Sequence, residues 1–160
     1  MEHKRVSLAL TAAGALATLG GLLVFFVYAP AFAGECREAY PELAFLYWPG
    51  LIGVWLIAAV YLAAMVFYFR IVARIGKDQS FCAANAREMG WIARCMGAAG
   101  ALWLLAAILP GLLWQVDLGP SWLALALAAM ASFAVGVLAW GLGRLLRRAV
   151  SLKEENDLTI

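Results

Sequence analysis

Histidine is almost missing from this sequence: His3, ahead of the first apolar stretch, is the sole one. A haem held inside a helical bundle usually takes histidines within the helices, and none is there. Cysteine is scarce too. Cys36, Cys82 and Cys95 form no C-x-x-C pair, so the paired cysteines of a thiol oxidase are not seen and no metal-ligand cluster stands out. Charge is sparse, at 14% of residues, and the four long apolar stretches hold no Asp, Glu, Lys, Arg or His in their central parts apart from Arg94 near the start of the third. Ion-coupled transport usually places an ionisable group inside the membrane, and no carboxylate stands at mid-depth here. Thr11, Thr18 and Ser132 are read as the mid-span hydroxyls, expected to bond to their own backbone or to a neighbouring helix. Phosphate-binding loops and nucleophile motifs are lacking as well. The sequence thus gives no sign of an enzyme, and no cofactor, metal or catalytic residue is expected. The formal net charge of +2 gives no reason to expect direct nucleic-acid binding.

What is present is hydrocarbon. Of 160 residues, 66% are hydrophobic, and the mean hydropathy is +0.88. A soluble domain is about half apolar, and a chain this short has too little interior to hide such an excess. A bilayer core needs about 20 apolar residues per helix. Four stretches satisfy this, near 6–29, 47–69, 91–115 and 121–143. They lack the strict alternation of barrel strands and are much longer, so helices are the remaining way to pair every backbone group in lipid. The expected fold is all-α: a polytopic membrane protein with four transmembrane helices in one antiparallel bundle. A single domain, 1–160, is expected, with a loop helix near 79–90 and a tail at 144–160.

Charge sets the expected orientation. Eleven of the twelve Lys and Arg residues lie before the first stretch (Lys4, Arg5), between the second and third or at the start of the third (Arg70, Arg74, Lys77, Arg87, Arg94), or after the fourth (Arg144, Arg147, Arg148, Lys153). Arg37 alone lies on the other side. The positive-inside rule then puts both termini and the middle loop in the cytoplasm. Tyr28, Tyr47, Trp48, Trp114 and Trp122 fall at the outer edges and Tyr68, Trp91 and Trp140 near the inner ones, as interfacial aromatics do. Ala31-Phe32-Ala33 resembles a signal-peptidase site, but the run before it exceeds the about 7–15 apolar residues of a signal peptide, so a retained span is expected. Cys36 on the outer side is placed either to cross-link two copies or to stand as an unpaired thiol with no role.

Small residues suggest the helix seams, because helices in lipid associate where backbones approach closely. Ala124, Ala128, Ser132 and Gly136 recur every four residues in the fourth stretch. Ala13, Ala17 and Gly21 do so in the first, and Gly97 and Ala101 in the third. Pro110 is expected to kink or end the third helix locally. Trp55 and Trp103 lie deeper than the aromatic belts and are candidates to line a small-molecule pocket.

Two cytoplasmic segments carry polar pattern. In the middle loop, Asp78 or Ser80 is suited to cap a helix start, after which Phe81, Asn85, Glu88 and Ile92 share a face, with Arg87 placed for lipid phosphates. In the tail, a basic run gives way to Glu154, Glu155, Asn156 and Asp157 and then to the apolar end Leu158-Thr159-Ile160. The tail is expected to dock as an added strand, to fold back on the Phe81 helix, or to fray. Ser80-Phe81 with Asn85-Ala86, and above all the terminal Glu154 to Ile160 segment, resemble the bacterial membrane family called domain of unknown function 2975. The four-span layout fits that family over nearly the whole chain, and the resemblance implies a bacterial cytoplasmic (inner) membrane as the location. The resemblance implies no established activity, but family members are often encoded beside a small helix-turn-helix regulator. Three readings follow. The leading one is a membrane partner or sensor that binds a cytoplasmic protein, such as that regulator, through Phe81, Asn85, Arg87 and Glu88 and through Glu154, Glu155, Asn156, Asp157 and Leu158. The others are a transporter-like or lipid-binding module around Trp55 and Trp103, and a homo-oligomeric scaffold held by the stripe of the fourth stretch.

Overall fold

A computed structural model describes residues 2–77, 82–116, 119 and 121–157. Every regular element among them is helical. α1 (Glu2–Leu23) passes through a π-helical turn at Val24–Tyr28 into α2 (Ala29–Ala39). A short 3₁₀ turn at Pro41–Leu46 leads to α3 (Tyr47–Ile75), followed by α4 (Ala83–Trp114) and α5 (Ser121–Asp157). The four candidate spans are Lys4–Ala39, Pro41–Ile75, Ala83–Trp114 and Ser121–Lys153, each long and apolar enough to cross a membrane. The chain is a four-span, all-helical membrane protein.

Local chemistry accounts for the breaks. Pro30 has no amide hydrogen and would leave a carbonyl one turn earlier without its bond. The π turn absorbs this defect, with the Ala29 amide reaching back to the Val24 carbonyl. Pro110 lies inside α4, which nevertheless runs on one more turn before Gln115 closes it with φ 54°, its amide bonded to the Gly111 carbonyl at 3.2 Å. The left-handed cap is a role glycine usually fills. At the other end of α4 the N-cap position is Cys82, which makes no side-chain cap bond. The capping candidates Asp78 and Ser80 lie outside the described residues, as does Phe81.

The spans pack in chain order: α1 on α3, α3 on α4, and α4 on α5. No Cα atom of α1 comes within 8 Å of one in α4 or α5 among the described residues. The first span is therefore peripheral, with only 6% of its most apolar window buried against 17–22% for the others.

The α4–α5 seam is the tightest. A Cβ on Gly136 would sit 3.3 Å from the Ala93 carbonyl oxygen and from Met96 Cβ. On Gly143 it would meet Met89 Cβ at 3.1 Å and the Ala86 carbonyl oxygen at 3.3 Å. Ser132 and Gly136 thus belong to an intramolecular seam that continues through Ala139 and Gly143, while Ala128 is half-buried and Ala124 is exposed. On α1 the expected stripe is off by one residue. Ala13 and Ala17 are exposed, and the face turned to α3 carries Ser7, Leu10, Gly14, Thr18 and, from the expected stripe, Gly21, with Phe25 following in the π turn. Tyr68 and Phe69 decide that register. The Tyr68 ring lies so close to Gly14 that a Cβ there would clash, and its hydroxyl donates to the Leu10 carbonyl at 2.9 Å. In α4, Gly97 lines the seam opposite Gly136, but Ala101 is exposed.

Taking about 20 residues as the hydrocarbon length, the far-end aromatics Trp48, Trp114 and Trp122 are matched at the other end by Tyr68, Arg94 and Leu142. Arg70, Arg74, Arg87, Arg144, Arg147 and Arg148 all lie beyond that level, so one end of the molecule is basic.

Candidate functional site

Polar side chains in so apolar a chain are conspicuous, and the structure gathers them at two depths. At the basic end, the last turn of α3 brings Arg74 over the first turns of α4. Its Nη1 donates to Asn85 Oδ1 at 3.3 Å and its Nη2 to Glu88 Oε1 at 3.2 Å. Asn85 and Glu88 stand three residues apart and so share a helix face. Both are almost wholly enclosed, at 1% and 4% exposure. The guanidinium fork suits two acceptors side by side, and it neutralises a carboxylate that has lost its water. Beside it, Ser7 donates to the Val72 carbonyl at 3.3 Å and would touch any side chain at Gly76. α1, α3 and α4 are thereby tied at this end.

The second group lies deep in the apolar region. Trp103 Nε1 donates to the Tyr61 hydroxyl at 3.2 Å, that hydroxyl lies 2.6 Å from Ser132 Oγ, and Ser132 donates to the Ala128 carbonyl at 2.7 Å. With the serine proton committed to Ala128, the tyrosine proton points to Ser132. The chain runs from indole to phenol to serine to backbone and links α4, α3 and α5. Thr11 and Thr18 bond to carbonyls four residues back, of Ser7 and Gly14, both at 2.8 Å.

These placements revise several candidate roles. Asn85 and Glu88 are corrected from partner-facing groups to enclosed partners of Arg74, because a buried carboxylate in a lipid-soluble chain is held by a cation rather than displayed. Arg87 is exposed. Glu155 is exposed on α5, and Glu154, Asn156 and Asp157 lie on the same helix. Leu158 lies outside the described residues. Trp55 and Trp103 are corrected as pocket walls: Trp103 is a donor in the hydrogen-bonded chain, and Trp55 stacks on Phe26 at 6.4 Å with its Nε1 enclosed and unbonded. The cavity beside them, lined in part by Thr18, Phe26 and Tyr61, is about 50 Å³, too small for an organic ligand. Tyr61 is not among the hydroxyls that the sequence singles out. Its signal is a phenol in mid-span, one and a half turns from Trp55, and it is easily mistaken for one more apolar ring.

Among the described residues no three His, Cys, Asp or Glu side chains lie together as a metal site. Comparison with known proteins agrees with the layout. Residues 31–160 match a family described as "Protein of unknown function (DUF2975)". The chain belongs to this family. A relative, "Uncharacterized membrane protein YoaS" of Bacillus subtilis (strain 168), is 26% identical over 140 residues, covering 87% of this chain and 86% of its own. No solved structure matches. No enzymatic family is indicated, and the DUF2975 match takes in the basic end, its Arg74–Glu88 pair and all of α5.

Proposed function

We propose that this DUF2975 protein is a non-enzymatic component of the bacterial cytoplasmic membrane, with both termini inside, that holds a cytoplasmic protein on the projecting end of α5. A regulator of the helix-turn-helix class is the partner the family resemblance suggests. The observation that carries the reading is that α5 runs unbroken for 37 residues, about 55 Å of helix. Hydrocarbon accounts for about 30 Å of that length, and the remainder extends past the basic collar. On this projection Leu145 and Leu152 are 63% and 65% exposed, two turns apart on one face. Arg144, Arg147 and Arg148 are suited to hold the first turns to lipid phosphates. Leu152 stands clear of them, in the pattern of a helix that anchors in another protein's groove. The positive-inside rule supports a cytoplasmic position.

A photo-reactive amino acid at position 152, introduced into the full-length protein in living cells, tests this. One cytoplasmic protein should cross-link at 152 and not at the lipid-facing position 137, and removal of residues 154–160 should weaken capture and alter transcription of genes controlled by the partner. Capture of lipid alone at 152, with unchanged transcription after truncation, would refute the reading.

A further inference from the structure

The outer surface between α3 and α4 carries a shallow, open groove of about 410 Å³. Leu56, Ala59, Val60, Ala63 and Ala98 make most of its walls, with Cys95 at one side and Trp91 and Arg94 at the basic end. The small side chains explain why the surface is hollow there. The end of the groove is built differently. Arg70 lies over the Phe67 ring at 5.6 Å, Phe67 stacks on Trp91 at 5.9 Å, and Arg94 lies over Trp91 at 4.6 Å. Two exposed guanidinium groups thus bracket two stacked rings, and neither makes an ion pair among the described residues. The nearby carboxylate, Glu88, is already engaged by Arg74.

We infer that this groove is a site for an anionic phospholipid, with one acyl chain along Leu56, Ala59 and Ala63 and the headgroup phosphate on Arg94, aided by Arg70. Depth supports the assignment. Arg94 lies about 20 residues of helix from Trp114, which sets it where hydrocarbon gives way to headgroups. The ring beneath Arg94 limits its rotamers, so a phosphate would meet a pre-positioned fork rather than a free side chain. Charge complementarity selects the anionic headgroup, and the apolar, lipid-facing walls select a chain-bearing ligand over a free phosphate ester.

Native mass spectrometry of the full-length protein in detergent tests the site, with phosphatidylglycerol, phosphatidylcholine and glycerol phosphate as probes. One phosphatidylglycerol should be retained, at least about fivefold more tightly than phosphatidylcholine, as a cation near a headgroup provides. Arg94→Gln should lose about fivefold, and Ala59→Phe, which fills the groove and leaves both cations in place, should lose at least as much. Arg37→Gln is the control, because Arg37 lies over Tyr47 at 4.8 Å at the opposite end of the molecule, and it should bind like the parent. All of these positions are exposed, so each variant should fold. Equal retention by the parent, Arg94→Gln and Ala59→Phe would overturn the proposal, leaving ordinary boundary lipid. Displacement of the lipid by glycerol phosphate would overturn the acyl-chain part.

Discussion

Replacing Glu88 by glutamine leaves the shape of the basic end intact and takes away the charge that balances Arg74. Enclosed ion pairs contribute little net stability when made and cost heavily when half is removed. Arg74 keeps some contact with solvent, its side chain being 26% exposed, which moderates the loss. Glu88→Gln should destabilise by about 2–3 kcal/mol, read as thermal unfolding in detergent. Arg87→Gln, one position away and exposed, should change stability by no more than about 0.5 kcal/mol. Equal effects of the two changes would mean that Arg74 is satisfied elsewhere. The pair also marks a limit of sequence reading. Asn85 and Glu88 were legible as one helix face, but a face rich in polar groups reads as outward until its partner is known. Arg74 lies across a loop, and nothing in the spacing of the three says that the loop folds them together.

At the scale of the helix, the small residues do two different things. Gly136 and Gly143 let α5 lie against the α4 backbone, whereas nothing stands within 4 Å of a side chain placed at Gly20 or Gly141. Gly136→Leu should therefore force α4 and α5 apart, at about 1–3 kcal/mol for overpacking, while Gly141→Leu on the same helix should be nearly neutral. Thermal unfolding of the two variants, with their mass in mild detergent, distinguishes a seam within the chain from one between copies. Loss of mass without loss of stability would favour the latter. The four helices themselves were plain from apolar length, but of the α5 stripe only Ser132 and Gly136 are buried in the seam, which runs on through Ala139 and Gly143. The α1 register was not plain, because alanine and glycine recur there on more than one face and the choice fell to a tyrosine ring fifty-odd residues downstream.

For the molecule as a whole, one end is basic and the other carries Glu35, Glu38 and Glu42, with Cys36 on α2 and Cys82 at the opposite end. These two thiols report orientation without any fusion. In intact cells a membrane-impermeant maleimide should label Cys36 at least about tenfold faster than Cys82, and permeabilisation should remove the difference; this follows from the positive-inside rule. Labelling in the reverse order would invert the topology and take the proposed partner site to the outside. That one end is basic was readable because charge and aromatic position vary together along the chain. The hydrogen-bonded chain through Tyr61 was hidden because hydropathy scores a tyrosine among apolar rings by its size, not by where its hydroxyl ends.

The single-file arrangement of the spans bears on biogenesis. Each span after the first packs against the one synthesised just before it, and Ser132 in the last reaches Tyr61 in a span already made. No helix has to wait for a later one before its own docking partner exists. Local pairings of this kind close short loops and form early. A ribosome feeding these spans into the bilayer could leave each one docked as it emerges, and a stalled product ending after α4 should already hold its first three spans in their final places.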